Sequence, residues 1–385
     1  MCYDENEKAH SVTGSFFGLD IARRDYADGV PDGTLSSQPR YITATVTFGN
    51  AASPGPTRRI LLSEPPEDRP SRDQYVILDD DFYGVTTLFA PPSEDHKVDV
   101  VAISGLGGHA FGSFKERDEN YMWLRDALPF DLTGEDTDRP IARVMIYGYE
   151  SAVAQSRSIQ NLSDLASSFH NSIRALAYPP TVRPIILVAH SLGGLIIKQC
   201  SNVLSEQTMI ALSKSKEEDD RQLTKAVYGI VFFGVPHDGM DTSSLIPMVG
   251  DGPNRPLVNS LSRINSEILS IQQQEFHTAL GNEGNSEIVY FYETVESPTA
   301  AQGTDGKWSM TGPPATLVTK SSATHCRPWE NGPEYVCAVA RTHSDMVKFR
   351  PQDHEYDKVR ERLRGLARRA SAARRRIQGS NAKCM

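Results

Sequence analysis

The chain has 385 residues, of which 39% are hydrophobic and 23% charged, and its formal net charge is −9. This length and composition are typical of a globular protein with a sizeable core. The acidic balance argues against general nucleic-acid binding, which requires a basic surface.

Targeting signals are weak along the chain. The amino-terminal MCYDENEKAHS lacks the basic and then apolar run of a signal peptide. No apolar stretch approaches the ~18 residues that span a bilayer. The five cysteines are too scattered for a disulfide framework. These features predict a cytoplasmic protein.

Residues 1–72 are rich in Gly, Pro, Ser and Asp. They contain one strand-like alternation, YITATVTF at 41–48, bounded by turn-forming residues. The pattern predicts an irregular amino-terminal extension that is partly disordered or forms a small β appendage.

From residue 73 onward, strand-like and helix-like segments alternate. Apolar runs predict strands at 84–91, 98–105, 142–151, 185–190, 226–236, 287–294 and 334–342. Helical spacing appears at 122–128, 158–177 and 257–276, and again from Asp353, whereas the charged 213–221 and the Gly/Pro/Ser-rich 297–333 read as loops. The strands are apolar on both faces, so 73–352 is predicted to fold as one α/β domain. Its mostly parallel sheet would be covered by helices on both sides.

The segment PIILVAHSLGGLIIKQC (184–200) places a polar, tightly turning HSLGG between a buried strand and a buried helix. A strand, a turn of G-x-S-x-G type and a helix together form a nucleophile elbow, with a strained serine at the turn. Small residues are required two before and two after the serine, and here they are Ala189 and Gly193. Ser191 is therefore the candidate nucleophile.

A serine hydroxyl needs a base to remove its proton, and this fold predicts the chain order Ser, acid, His, each at a strand end. His343 follows the last predicted strand and is the candidate base; His325, in the predicted loop, is a weaker alternative. Glu293, at the end of the preceding strand, is the candidate acid. Glu296 and Asp238 remain alternatives.

Two backbone N–H groups are candidates for an oxyanion hole. The N–H of Leu192 opens the helix after the serine, where the helix dipole favours negative charge. The N–H of Leu106 lies in the Gly-rich AISGLGGHAFGSF, which also follows a strand. A phosphate-binding interpretation of this turn is weak, because neither G-x-G-x-x-G nor G-x-x-x-x-G-K-[ST] is satisfied.

Three other histidines could lie near this site. We interpret His190 as a packing residue that bonds nearby backbone. His109 and His237 could line a pocket, although a structural role is favoured for both.

The chain resembles the α/β-hydrolase domains of the serine-active-site-containing and GPI-inositol-deacylase-like lipase superfamily, above all the version at the amino terminus of fungal NACHT or ankyrin NOD-like receptors. The ordered matches run from about residue 83 to 349: SGLGG, WLRDALP, YGYES, AHSLGGL, FFGVPHDG, YET and THSDMVKF. The resemblance implies a Ser191–Glu293–His343 triad, an oxyanion hole from Leu106 and Leu192, and no metal or cofactor. Two positions depart from the family pattern, namely Ser104 for histidine and Ala189 for glycine.

Residues 353–385 are predicted to form a basic helix or tail. Between residues 358 and 385 the chain carries ten Lys/Arg and a single acidic residue, Glu361, beside a narrow apolar stripe. The stripe indicates a closing helix that packs on the sheet. A basic amphipathic segment that rests on an anionic membrane or binds a partner is the alternative.

Three functions are compatible with the sequence. The first is a serine ester hydrolase acting on a small-molecule or lipid ester through an acyl-enzyme. The second is a weakly active or inactive hydrolase-fold module of signalling or scaffold type. The third, transacylation, depends on how far the pocket excludes water.

Overall fold

The computed structural model describes residues 58–61, 75–78, 81–117, 119–135, 137–177, 182–199, 218–243, 245–265, 267–280, 286–304, 306, 308–325 and 330–383. All of them belong to one compact unit, Ala51–Met385. The predicted strand at 41–48 lies outside the described residues, as does most of the extension 1–72. The domain boundaries at 72 and 352 stay predictions.

Strands and helices alternate along most of the described chain. The strands are β1 (Arg58–Leu61), β2 (Tyr75–Leu78), β3 (Gly84–Phe89), β4 (Val98–Ile103), β5 (Ala142–Gly148), β6 (Ile185–His190), β7 (Val227–Phe233), β8 (Glu287–Glu293), β9 (Ser297–Gln302), β10 (Trp308–Ala315) and β11 (Val336–Val339). The α-helices are α1 (Trp123–Asp126), α2 (Leu128–Asp131), α3 (Leu162–Ile173), α4 (Leu192–Lys198), α5 (Glu218–Ala226), α6 (Leu245–Val249), α7 (Arg255–Ser260), α8 (Glu267–Leu280), α9 (Lys320–Ala323) and α10 (His354–Lys383).

Seven of these strands form the central sheet, in the order β11-β8-β7-β6-β4-β5-β3. All neighbouring pairs are parallel except β3 with β5, which is antiparallel. The edge strand β3 is only half-buried, whereas β4 and β6 are buried along their whole length. The prediction of a mostly parallel sheet is confirmed.

Helices cover both faces of the sheet, and successive strand residues alternate between two cores. One core combines β6 residues such as Leu187 and Ala189 with apolar residues of α3, α4 and α8. The other combines their neighbours Ile186 and Val188 with residues of α1, α2 and α10. Successive side chains of a strand point to opposite faces of the sheet. Because the strands are apolar on both faces, they contribute residues to both cores.

Helix α3 shows how local sequence sets an element boundary. Asn161 accepts from the N–H of Asp164, whose carboxylate accepts from the N–H of Asn161, so a capping box starts the helix. Leu165 and Phe169 belong to its buried stripe, as the helical spacing predicts. The α-helix ends at Ile173 and continues as a short 3-10 helix to residue 177.

Three predicted segments differ in the structure. The loop prediction for 297–333 was wrong in part, because β9 and β10 form an antiparallel hairpin and α9 follows. This hairpin contains prolines and register shifts, and half of its strand residues are exposed, so it lacks the apolar alternation that indicates a strand. The charged segment 213–221 was predicted to be a loop, but its residues from Glu218 onward belong to α5. The predicted helix at 257–276 is divided between α7 and α8.

The carboxy-terminal helix α10 packs on the sheet. It begins just after Asp353, whose carboxylate accepts from the N–H of Glu355. Val359, Leu363 and Leu366 are fully buried in the core on that face, which confirms the packing interpretation for the first turns. None of the helices within the described residues has the length and apolarity to cross a bilayer.

Candidate active site

The turn between β6 and α4 holds Ser191 in a strained conformation. Its backbone has φ 50° and ψ −123°, in a region that residues other than glycine rarely adopt. The N–H of Ser191 donates to the carbonyl of Phe233 at 2.9 Å, which extends the β6–β7 pairing into the turn. This geometry is the one that a nucleophile elbow requires.

Close packing explains why small residues surround this serine. A Cβ at Gly193 would lie 2.7 Å from the carbonyl oxygen of Ser104, and one at Gly105 would lie 2.7 Å from the Cβ of Ser191. Both distances are too short for real side chains. A strained serine therefore sits at the carboxyl end of a central parallel strand, in contact with the turn after β4. The fold is that of an α/β-hydrolase.

The hydrolase sheet brings the predicted acid and base together. Glu293 ends β8, and His343 lies in the loop after β11, the strand beside β8. Nδ1 of His343 lies 3.1 Å from Oε2 of Glu293, and both side chains are buried. Neither alternative acid is a described partner of His343, because Glu296 is exposed, Asp238 pairs with His325 at 2.5 Å, and the carboxylate on His343 belongs to Glu293.

The geometry of this pair sets the tautomer of the neutral His343 ring. A carboxylate only accepts, so Nδ1 carries the hydrogen and Nε2 keeps its lone pair. Nε2 is buried, and it has no hydrogen-bond partner among the described residues. The hydroxyl of Ser191 is therefore not bonded to Nε2, although the His343 ring lies 4.9 Å from the ring of the adjacent His190. Hydrogen bonds between a catalytic serine and its base are often long or poorly aligned until the substrate binds.

The insert between β8 and β11 supports both members of this pair. The N–H of Val318 donates to Oε1 of Glu293 at 3.0 Å, and the N–H of His343 donates to Oγ of Ser297 at 2.8 Å. Sequence reasoning missed both residues, because 297–333 read as a loop and neither contact has a local signal.

The Gly-rich turn after β4 is held by the end of the YGYES motif. The Tyr149 hydroxyl donates to the carbonyl of Ser104 at 3.0 Å, and the N–H of Gly107 donates to the carbonyl of Ser151 at 2.6 Å. The Ser151 hydroxyl also bonds the carbonyl of Gly108. The turn that contains Leu106 is thus fixed on both sides, beside Ser191. The oxyanion role of Leu106 and Leu192 stays a prediction.

The loop that carries His343 is also fixed from outside the site. Trp123 in α1 donates from Nε1 to the carbonyl of Val347 at 2.8 Å, and the two residues are buried together. Arg341 forms an ion pair of 2.5 Å with Asp353 at the start of α10. These contacts give the WLRDALP motif and the final helix a part in positioning the histidine.

The other histidines have structural contacts. Nδ1 of His109 accepts from the N–H groups of Phe111 and Gly112 at 3.2 and 2.9 Å, so this ring stabilises its own turn. His237 is 1% exposed, and its Nδ1 lies 2.9 Å from Nζ of Lys198.

Lys198, at the end of α4, is a fully buried amine. Besides His237, its Nζ bonds Oε1 of Gln273 and lies 5.2 Å from the ring centroid of Phe276. Burial lowers the pKa of Lys198 to about 7, while Asp238 raises it by a smaller amount. The amine is thus far easier to deprotonate in the folded protein than in an unfolded chain.

This pKa predicts a pH-dependent stability that Lys198→Met should remove. Between pH 7 and 10.5 the unfolded chain binds the proton more tightly than the fold does. The wild type should therefore gain stability relative to Lys198→Met as pH rises through this window, by at most roughly 1.4 kcal/mol per pH unit. Urea unfolding of both proteins across the window measures the difference. An unchanged difference would contradict the prediction.

A separate cleft of about 600 Å³ opens at the opposite end of the strands from Ser191. It is lined mainly by polar residues, including His96, Lys97, Arg183 and Arg368. His96 and Lys97 precede β4 and Arg183 precedes β6, so the cleft lies at the amino ends of the strands, away from Ser191. Within the described part of the chain, no group of three His, Cys, Asp or Glu side chains could hold a metal ion.

No family model matches the chain. Over 159 residues it is 28% identical to protein SERAC1 of Bos taurus, the match covering 38% of this chain and 23% of that protein. The SERAC1 of Mus musculus is 26% identical over 160 residues, with the same coverages. The match thus spans less than a quarter of the length of these relatives.

Solved structures that resemble the chain are distant. The mature lipase BlEst2 of Bacillus licheniformis is 16% identical with a TM-score of 0.39, covering 68% of this chain and 92% of that one. The type II thioesterase YbtT of the yersiniabactin pathway is 13% identical with a TM-score of 0.34, covering 74% and 96%. Likenesses this remote say nothing about the reaction, and none of these relatives is a NACHT receptor.

Proposed function

We propose that the protein is a serine ester hydrolase that uses Ser191, His343 and Glu293. The observation that carries the proposal is the buried His343–Glu293 pair at the same sheet edge as the strained Ser191. A histidine oriented by a carboxylate, at the same end of the sheet as a serine raised from a tight turn, is what a Ser-His-acid triad requires.

In the first half of the reaction, Oγ of Ser191 attacks the ester carbonyl while Nε2 of His343 takes the hydroxyl proton. Glu293 stabilises the imidazolium that forms. The oxygen of the carbonyl becomes an oxyanion, which the N–H groups of Leu106 and Leu192 would stabilise. The C–O bond then breaks, the leaving alcohol takes the proton from Nε2, and the acyl group remains on Ser191.

In the second half, water attacks the acyl-enzyme. His343 accepts a proton from the water and returns it to Oγ of Ser191 as the acid leaves. Glu293 keeps Nδ1 protonated throughout, so Nε2 is free to accept a proton in each half-reaction.

The proposed substrate is the ester of a lipid or another acyl chain, and the proposed location is the cytoplasm. The narrower kinship with fungal NACHT-receptor hydrolase domains is part of this proposal, and it rests on the motif matches alone. Contact of the basic carboxy-terminal residues with a membrane is likewise proposed. Hydrolysis of p-nitrophenyl esters of increasing chain length would define the acyl preference.

A fluorophosphonate probe tests the proposal directly. We expect the wild type to be labelled at Ser191, and Ser191→Ala to fold normally and remain unlabelled, because the probe reacts only with an activated serine. A folded wild type that is not labelled would favour the non-catalytic module. Labelling that survives in Ser191→Ala would show a different nucleophile.

A further inference from the structure

His190 precedes the elbow serine and takes no part in the reaction proposed above. Its side chain is buried, and its Nε2 lies 2.8 Å from the backbone carbonyl oxygen of His343. The rings of these two histidines are 4.9 Å apart and tilted by 40°. The neighbour of the candidate nucleophile is therefore bonded directly to the main chain of the candidate base.

The charge state of His190 determines which atom donates in this bond. Burial, and to a smaller degree the nearby His343, lowers the pKa of His190 to about 3, so the ring is neutral near neutral pH. A neutral imidazole has one N–H, and a carbonyl oxygen can only accept. Nε2 of His190 therefore carries the hydrogen and donates it to His343.

The other ring nitrogen of His190 faces the Gly-rich turn. A Cβ at Gly105 would lie 3.2 Å from Nδ1 of His190 and 2.7 Å from the Cβ of Ser191. Because Gly105 has no side chain, its backbone packs against both residues. A single neutral ring thus lies between the elbow, the proposed oxyanion turn and the loop of the base.

We propose that His190 is a positioning residue, whose Nε2–H holds the main chain of His343 in register with Ser191 for proton transfer. It touches no reacting atom and acts through His343. Two other hydrogen bonds hold the same loop: the N–H of His343 donates to Oγ of Ser297, and the carbonyl of Val347 accepts from Trp123. Neither of them involves the elbow. Among the described hydrogen-bond partners of the His343 backbone, His190 is the one that belongs to the elbow. The kinetic part of this proposal rests on the proposed function.

Two substitutions separate the hydrogen bond from the bulk of the ring. His190→Phe keeps the volume without a donor, whereas His190→Gln places an uncharged amide N–H near the position of Nε2. The readouts are the rate of fluorophosphonate labelling, kcat and KM for p-nitrophenyl butyrate, and thermal unfolding. A fourth readout is the far-downfield proton resonance of the Nδ1–H in the His343–Glu293 pair.

We expect His190→Phe to fold but to lose about 10²-fold in labelling rate and kcat, with KM unchanged, because a small misplacement of a reacting group has this effect. His190→Gln should recover most of the loss. The downfield resonance should persist in the wild type and in His190→Gln, and should be lost to exchange in His190→Phe. Should the phenylalanine variant not fold, His190→Leu replaces it in the same comparison.

The proposal is overturned if a folded His190→Phe keeps the wild-type labelling rate and resonance, or if His190→Gln is as impaired as His190→Phe. An unlabelled wild type would instead refute the proposed function. In that case the resonance comparison still decides whether His190 positions His343, so the two failures are distinguishable.

Discussion

Glu293→Gln is expected to lower kcat for ester hydrolysis about 10⁴-fold, the size of effect seen when a triad carboxylate becomes an amide. The contacts of Glu293 explain why. Its Oε1 accepts from the N–H of Val318 and its Oε2 faces Nδ1 of His343. The glutamine oxygen must keep the bond to Val318, so the amide nitrogen would donate to Nδ1. The ring hydrogen would then move to Nε2, which could no longer accept the proton of Ser191.

Glu296→Gln and Asp238→Asn are the matched controls for this substitution. Glu296 is exposed and Asp238 pairs with His325, and among the described residues neither forms a hydrogen bond or ion pair with His343. Both variants should keep nearly the wild-type kcat, with all three proteins compared by thermal unfolding. A large loss in either control, with Glu293→Gln active, would assign the acid to another residue.

Gly234→Ala should impair both the reaction and the fold. Gly234 follows β7 with φ +53°, and a Cβ there would lie 3.0 Å from Oε2 of Glu293 and 3.0 Å from Cε1 of His343. The new methyl group would push the histidine and the carboxylate apart, so we expect the labelling rate of Ser191 to fall about 10²-fold. The left-handed backbone should cost about 1–2 kcal/mol in the free energy of unfolding.

Gly250→Ala separates these two effects. Gly250 has a similar φ of +55°, but nothing lies within 4 Å of its ideal Cβ. This variant should lose a similar amount of stability and label at the wild-type rate. If Gly234→Ala also labels at the wild-type rate, the space around the His343–Glu293 pair does not limit the reaction.

Periodicity and motif predicted much of the architecture. The seven predicted strands from residue 84 onward all take part in the central sheet. Its inner strands are buried on both faces, and such strands have continuous apolar runs in their sequence. The nucleophile elbow could also be predicted from a short stretch of sequence, because its strained turn requires small residues within two positions of the serine. The β9–β10 hairpin could not be predicted in this way, because its strands are partly exposed and pair only with each other in the described residues.

The sequence by itself determined where the chain forms buried strands and where Ser191 turns, since both depend on residues close together in the chain. Only the tertiary structure decided which carboxylate meets His343, because three acids follow the serine at suitable strand ends and the choice depends on the pairing of β8 with β11. It also revealed the supports from Ser297, Val318 and His190. These contacts join residues that are 25 to 153 positions apart in the chain, and no local sequence pattern predicts a contact over such a separation.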